Sequence, residues 1–112
     1  MRFRTLSVRN RDGSADEIDN LQRQPVLEIN TTEMTIMENN GCNNVKGITN
    51  RLHTNIISFG SLAGTGMTCE QMEVSTTINR YLSEAVFFFI DDLILKLNDK
   101  EGNELLRYEK VD

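Results

Sequence analysis

Two cysteines and a single histidine are the side chains of this sequence best suited to nucleophilic or metal chemistry. A thiol mechanism would need His53 as a base beside Cys42 or Cys69. His53 lies in the polar stretch Asn50–Asn55, which is typical of a solvated surface turn. A zinc site is not indicated, because neither CxxC nor HxxxH spacing occurs. We therefore predict no catalytic residues, no metal site and no cofactor, and expect a protein that is not an enzyme.

Length and charge exclude several other classes of protein. The 112 residues fit a single domain, residues 1–112, and the net charge of −5 argues against nucleic-acid binding. Residues 1–11 hold four arginines and no acid; we interpret them as a strand with a solvated basic face, although an anionic lipid surface could attract them weakly. The sequence has no eighteen-residue apolar run, so we expect no transmembrane segment.

The elements that must position these residues are mostly strands. Residues 10–24 are polar and predict a mobile loop. The dipeptide Asp91-Asp92 predicts a hairpin turn. Alternation and β-propensity predict the strands Phe3–Val8, Val26–Ile29, Glu33–Glu38, Val45–Thr49, Ile56–Phe59, Ala85–Ile90, Leu93–Leu97 and Leu105–Lys110. That count of seven or eight suits a small barrel or sandwich.

One amphipathic helix is predicted over residues 69–83. Val74, Ile78, Tyr81 and Leu82 share one stripe at helical spacing. We expect this stripe to lie on a sheet and the opposite face (Gln71, Ser75, Asn79) to be polar.

Two short motifs carry a resemblance to a known family. The segment Gly41-Cys42-Asn43 is followed by Gly47, and Thr65-x-Met67-x-Cys69 precedes the helix. With Pro25–Ile29 as a strand and the hairpin after the helix, this order resembles the META domain, or HslJ-like, family. The sequence departs from the family pattern at two points: it has no tryptophan, so Phe3 stands in on the first strand, and Gly66 replaces a common arginine.

The resemblance implies a fold and a location. The implied fold is α+β and mostly antiparallel, a partly open barrel-like sheet of about seven or eight strands with one packed helix. Family members are commonly envelope proteins of bacteria, periplasmic or lipoproteins, some associated with heat shock or drug tolerance, and they have no assigned catalytic residues. The start Met1-Arg-Phe-Arg-Thr lacks a signal-peptide pattern, so we expect either an envelope protein whose signal was removed or, alternatively, a cytoplasmic one.

The motif residues have a structural interpretation. We expect Gly41 to supply a turn, Asn43 to bond neighbouring backbone and Met67 to fill the core. The motif set is Gly41, Cys42, Asn43, Gly47, Thr65, Met67 and Cys69. Cys42 and Cys69 are either two buried thiols or, as an exported location would permit, a disulfide between the two motif segments.

Phe87, Phe88 and Phe89 are the residues of greatest functional interest. In a strand, Phe88 points away from the other two, so either both faces are buried or one face lines an apolar cavity or a partner surface. Together with the family resemblance, this leads us to expect a monomeric, non-enzymatic envelope domain, stress-related or accessory, that acts by contact with an unknown protein or small molecule. The alternative is a carrier of a small hydrophobic or lipid ligand in a barrel cavity; a thiol-dependent enzyme is the least favoured alternative.

The disulfide hypothesis is tested by alkylating the unreduced protein in denaturant. A Cys42–Cys69 bond leaves both cysteines unlabelled until reductant is added, and stabilises the fold by about 3–4 kcal/mol through loop closure. Labelling of both thiols in the unreduced protein, measured by mass spectrometry, would contradict the bond.

Overall fold

The computed structural model describes residues 1–9, 13–17, 24–39, 43–60, 62–64 and 72–111. In this part of the chain there are ten strands and one helix. They are β1 (Arg2–Arg9), β2 (Ala15–Glu17), β3 (Val26–Asn30), β4 (Thr35–Asn39), β5 (Asn44–His53), β6 (Ile56–Phe59), β7 (Ala63–Gly64), α1 (Met72–Glu84), β8 (Phe87–Asp91), β9 (Ile94–Asn98) and β10 (Glu104–Lys110).

Eight of these strands form a closed antiparallel barrel. Its order is β1-β3-β4-β5-β6-β8-β9-β10, and β10 returns to pair with β1 from Phe3↔Lys110 to Val8↔Leu106. The predicted α+β fold, mostly antiparallel with one packed helix, is confirmed, and the sheet expected to be partly open is closed. The short strands β2 and β7 add to β1 and β5. Since β2 lies within residues 10–24, part of the predicted loop forms a strand.

Alternating side chains fill the barrel interior. Leu27 on β3, Leu95 and Leu97 on β9, and Leu106 on β10 are fully or almost fully buried in one continuous apolar cluster. Because successive strand residues point to opposite faces, the residues between them form the outer surface. The core is therefore the barrel interior, completed by the apolar side of α1.

The helix packs against β1, β6 and β10. Ile78, Tyr81 and Leu82 are buried, and the Tyr81 hydroxyl donates a hydrogen bond to the carbonyl oxygen of Arg9 at 2.9 Å. The predicted apolar stripe is confirmed. Ser75 of the predicted polar face is buried, because its spacing of three and seven residues from Ile78 and Leu82 puts it on the inner stripe. No helix in the described part of the chain has the length and apolarity needed to cross a membrane.

The hairpin between β8 and β9 turns one residue later than predicted. Asp91 belongs to β8 and pairs with Ile94, so the two turn residues are Asp92 and Leu93. Asp92 has a φ of 55°, a left-handed conformation that aspartate tolerates better than β-branched or bulky residues do.

The three phenylalanines of β8 lie in different environments. Phe88 faces inward, opposite Leu97 on β9, and packs against the core cluster. Phe89 points outward and is exposed. The strand is therefore not buried on both faces, because α1 lies against other strands and leaves the outer face of β8 exposed at Phe89.

These neighbours give a matched test of the interior packing. Phe88→Ala should lower the free energy of unfolding by about 2–4 kcal/mol, because it opens a cavity in the core. Phe89→Ala, the same change one residue away, should cost less than about 1 kcal/mol. Urea unfolding of both variants measures the difference. Equal losses of unfolding free energy would contradict the inward position of Phe88 and the outward position of Phe89.

Candidate functional site

The tip of the β8–β9 hairpin exposes large apolar side chains. Phe89, Ile90 and Leu93 are 44%, 54% and 49% exposed. Asp91 and Asp92, also exposed, lie between them in the sequence. We call these five residues the hairpin tip. It places three exposed apolar side chains and two negative charges at one turn.

The hairpin tip extends beyond the neighbouring strand of the barrel. β8 pairs with β9 along its whole length but with β6 only at Phe87↔Ile56. The last contacts on that side join Phe88 to Asn55: the Phe88 amide donates to the Asn55 carbonyl at 2.8 Å, and the Asn55 side-chain amide donates to the Phe88 carbonyl at 3.1 Å. Beyond this point no strand among the described residues pairs with that edge of β8, so the hairpin tip is accessible from the side as well as from its end.

A second accessible region is an open groove on the outer face of β1, β3 and β4. It has two overlapping parts of about 500 and 550 Å³, which share Arg2, Glu28 and Met37. Arg2 forms an ion pair with Glu28 at 3.6 Å, and Arg4 forms one with Glu109 at 2.8 Å. Two arginines of the predicted basic face therefore lie beside acids, which reduces the attraction of this face for anions.

The barrel interior contains a carboxyl group that the sequence interpretation missed. Glu38 on β4 is only 1% exposed, and neither carboxyl oxygen has a hydrogen-bond partner among the described residues. It lies two residues after the buried Ile36, so the alternation of the strand directs both side chains inward. The two-residue spacing between Ile36 and Glu38 is the sequence signal that could have predicted the burial of Glu38.

Burial changes the ionisation of two interior groups. Loss of solvation raises the pKa of Glu38 from 4.5 to about 8. Burial also raises the pKa of Tyr108 well above 10, and the negative charge of Glu38 adds to that effect. Both side chains are buried in the barrel interior, Glu38 on β4 and Tyr108 on β10.

Most of the predicted motif residues fall outside the described part of the chain. This applies to Gly41 and Cys42 of the first motif and to Thr65, Met67 and Cys69 of the second, so the disulfide stays a prediction. Asn43 is buried immediately before β5, and Gly47 lies on β5 opposite Ile36. Phe87 is half-buried on the outer face of β8.

His53 lies at the end of β5, where it pairs with Ile56, and is exposed. The prediction of a surface histidine is confirmed. Both cysteines lie outside the described residues, so the thiol-dependent alternative stays a prediction.

Comparison with protein-family models gives one match that covers nearly the whole chain. The META domain model matches residues 3–112. The chain belongs to the META domain family. A search of curated proteins gives no match for this META domain.

Two solved structures share the fold of the META domain. One is the NMR structure of a protein from Burkholderia xenovorans, with a TM-score of 0.80 at 18% identity, covering 98% of this chain and 81% of that one. The other, also an NMR structure, has a TM-score of 0.67 at 23% identity and covers 96% of this chain and 86% of that one. At these identities the likeness concerns the fold alone.

Glu38 predicts a specific pH dependence of stability for the META domain. Between pH 4.5 and about 8 the folded protein keeps a proton that the unfolded chain has lost, so stability falls as the pH rises, by up to about 1.4 kcal/mol per pH unit. Glu38→Gln removes this contribution. The free energy of unfolding of the variant, relative to that of the wild type, should therefore increase as the pH approaches 8. Urea unfolding between pH 5 and pH 8 measures both slopes.

The control for this experiment is Glu33→Gln, which removes an exposed carboxyl from the turn before β4. It should leave the wild-type slope unchanged. Parallel stability curves for the wild type and Glu38→Gln would contradict the raised pKa of Glu38.

Proposed function

We propose that this META domain is a non-enzymatic, accessory binding domain of the bacterial envelope that contacts a partner protein through the hairpin tip. The observation that carries the proposal is the exposure of three large apolar side chains, Phe89, Ile90 and Leu93, at one projecting hairpin. Isolated exposed apolar residues are common on protein surfaces, whereas several at one accessible end favour an interaction site.

The charge of the hairpin tip specifies the partner further. Asp91 and Asp92 are exposed beside the apolar residues, and neither is in any ion pair found among the described residues. A complementary surface would present an apolar patch bordered by lysine or arginine. Such charges mainly accelerate association and select the partner, while burial of the apolar residues supplies most of the affinity.

The packing of the interior favours this proposal over the carrier of a hydrophobic ligand. That alternative needs a cavity lined by Phe87 or Phe88. Phe88 instead packs against the core, and its cross-strand neighbour Leu97 is fully buried. A ligand of lipid size would have to displace these side chains, so the outer surface is the better supported binding site.

The placement of the titratable groups supports a non-enzymatic role. Glu38, the carboxyl with the strongly raised pKa, is buried inside the barrel where a substrate in solvent has no access to it. His53 is exposed at the end of a strand. A general acid or base must lie within hydrogen-bond reach of its substrate, and neither residue lies in either part of the outer groove.

The envelope location and a stress-related role rest on the family resemblance. META domain proteins are commonly exported or lipid-anchored in bacteria, and some are associated with heat shock. A periplasmic or membrane-surface domain that binds another protein agrees with an exposed apolar hairpin tip. It also agrees with the disulfide hypothesis for Cys42 and Cys69, since that compartment is oxidising.

The proposal is tested by site-specific cross-linking in bacterial cells. A photo-cross-linking amino acid at position 90 should give one discrete adduct, whereas the same amino acid at position 48 should not. Ile48 is the matched control, since it is also an exposed isoleucine, 61% exposed, but lies on β5. The adduct should be recovered from the envelope fraction; recovery from the cytoplasm would contradict the location.

The purified adduct partner then allows a quantitative measurement. Ile90→Asn should weaken its binding to the isolated domain at least about tenfold, the equivalent of about 1.4 kcal/mol, while Ile48→Asn leaves the affinity unchanged. Both variants should unfold at the wild-type urea concentration, because exposed substitutions change stability little. Equal affinities for the two variants, or an adduct at position 48 alone, would overturn the hairpin tip as the binding surface.

A further inference from the structure

Three buried side chains on different strands leave polar atoms without a partner in the barrel interior. Thr5 on β1 and Tyr108 on β10 are fully buried, and Glu38 on β4 is almost so. The Thr5 hydroxyl, both Glu38 carboxyl oxygens and the Tyr108 hydroxyl have no hydrogen-bond partner among the described residues. We call these three residues the Glu38 cluster.

The strand register brings the cluster together. Thr5 and Tyr108 are directly opposite one another on β1 and β10, which places their Cβ atoms about 5 Å apart. Glu38 pairs with Leu27, and Leu27 pairs with Phe3. The Phe3 ring in turn lies 6.5 Å from the Tyr108 ring. The influence of the Glu38 charge on Tyr108 agrees with this proximity.

A third buried hydroxyl without a partner, that of Thr49, belongs to a different part of the interior. Thr49 lies on β5 four residues beyond Val45, the strand partner of Glu38. Four residues of extended strand span about 13 Å, which is too far for a shared hydrogen bond. Thr49 is therefore not part of the Glu38 cluster.

Four unsatisfied polar atoms in a buried site carry a large energetic cost. Each costs about 1–3 kcal/mol when it is removed from water without a new partner, and together they would offset a large share of the 5–15 kcal/mol that holds a domain folded. Buried groups of this kind are normally satisfied by other protein groups or by internal water. The described residues supply no partner, and a bound molecule that both donates and accepts hydrogen bonds would satisfy these atoms.

The chemistry of the cluster selects a small neutral molecule with both donors and acceptors. The two hydroxyls and a protonated carboxyl each offer a donor and an acceptor, which complements water. An organic ligand would also need space for its body, and the adjacent Phe3, Leu27 and Leu106 are buried in the packed core. A cation would accept no hydrogen bond from the three O–H groups.

We propose that Glu38, Tyr108 and Thr5 form an internal binding site for an ordered water molecule, which bridges the carboxyl to the tyrosine hydroxyl inside the barrel. The site joins β4 to the β1–β10 pair through the interior, where these strands have no direct backbone hydrogen bonds. The water completes a polar connection across an otherwise apolar lumen.

The proposal is tested by counting long-lived water molecules in solution with magnetic relaxation dispersion. Tyr108→Phe removes only the hydroxyl oxygen and should lower the number of long-lived waters by one. Tyr81→Phe is the matched control: Tyr81 is also buried, but its hydroxyl already bonds the Arg9 carbonyl, so the count should stay at the wild-type value. An unchanged count for Tyr108→Phe, or an equal loss in both variants, would overturn the site.

A crystal structure of the wild-type chain keeps the test decisive even if Tyr108→Phe does not fold. The expected result is a density peak within hydrogen-bond distance of both the Glu38 carboxyl and the Tyr108 hydroxyl, unaffected by exchange of sodium for potassium or rubidium. A direct Glu38–Tyr108 hydrogen bond would overturn the proposal. A cation identified by its anomalous signal, or a larger organic molecule in the density, would do the same.

Discussion

The pairing of β1 with β10 converts a long antiparallel sheet into a barrel. It joins the two ends of the sequence: Arg4 and Glu109, 105 positions apart, form an ion pair across it. Without this pairing both strands would expose a row of unpaired amides and carbonyls, the usual starting point for edge-to-edge association. The apolar faces of β1 and β10 would also meet water. Ordering such distant segments costs loop-closure entropy, which the burial of Phe3 and Tyr108 must offset.

The same closure creates the polar part of the interior. Thr5 and Tyr108 become direct neighbours only when β1 meets β10, and Glu38 is buried in the same interior on β4. An apolar residue at position 38 would avoid the desolvation of a carboxyl. The hairpin tip is independent of this arrangement, since Phe89, Ile90 and Leu93 lie beyond the last pairing of β8 with β6. A partner can therefore bind there without opening the core.

The barrel fold of this META domain is shared by a solved structure of low sequence identity. A structure with 18% identity superposes with a TM-score of 0.80, so the barrel tolerates replacement of most side chains provided that the inward and outward alternation is kept. Fold does not specify activity. Function therefore depends on particular surface and interior groups of this chain, and the hairpin tip and Glu38 are the candidates.

Local patterns in the sequence determined most of the elements: strands from their alternation, α1 from its stripe, and the opposite facing of Phe88 and Phe89 from the period of two. Alternation states which side of a strand a residue occupies, but not what covers that side. Tertiary structure alone decided that the outer face of β8 stays exposed at Phe89, that Ser75 is buried, and that the sheet closes. It also decided that Glu38 lies in the barrel interior rather than in solvent. Burial of this residue depends on strands brought together from distant parts of the chain. Only their packing removes the water that would keep a carboxyl ionised.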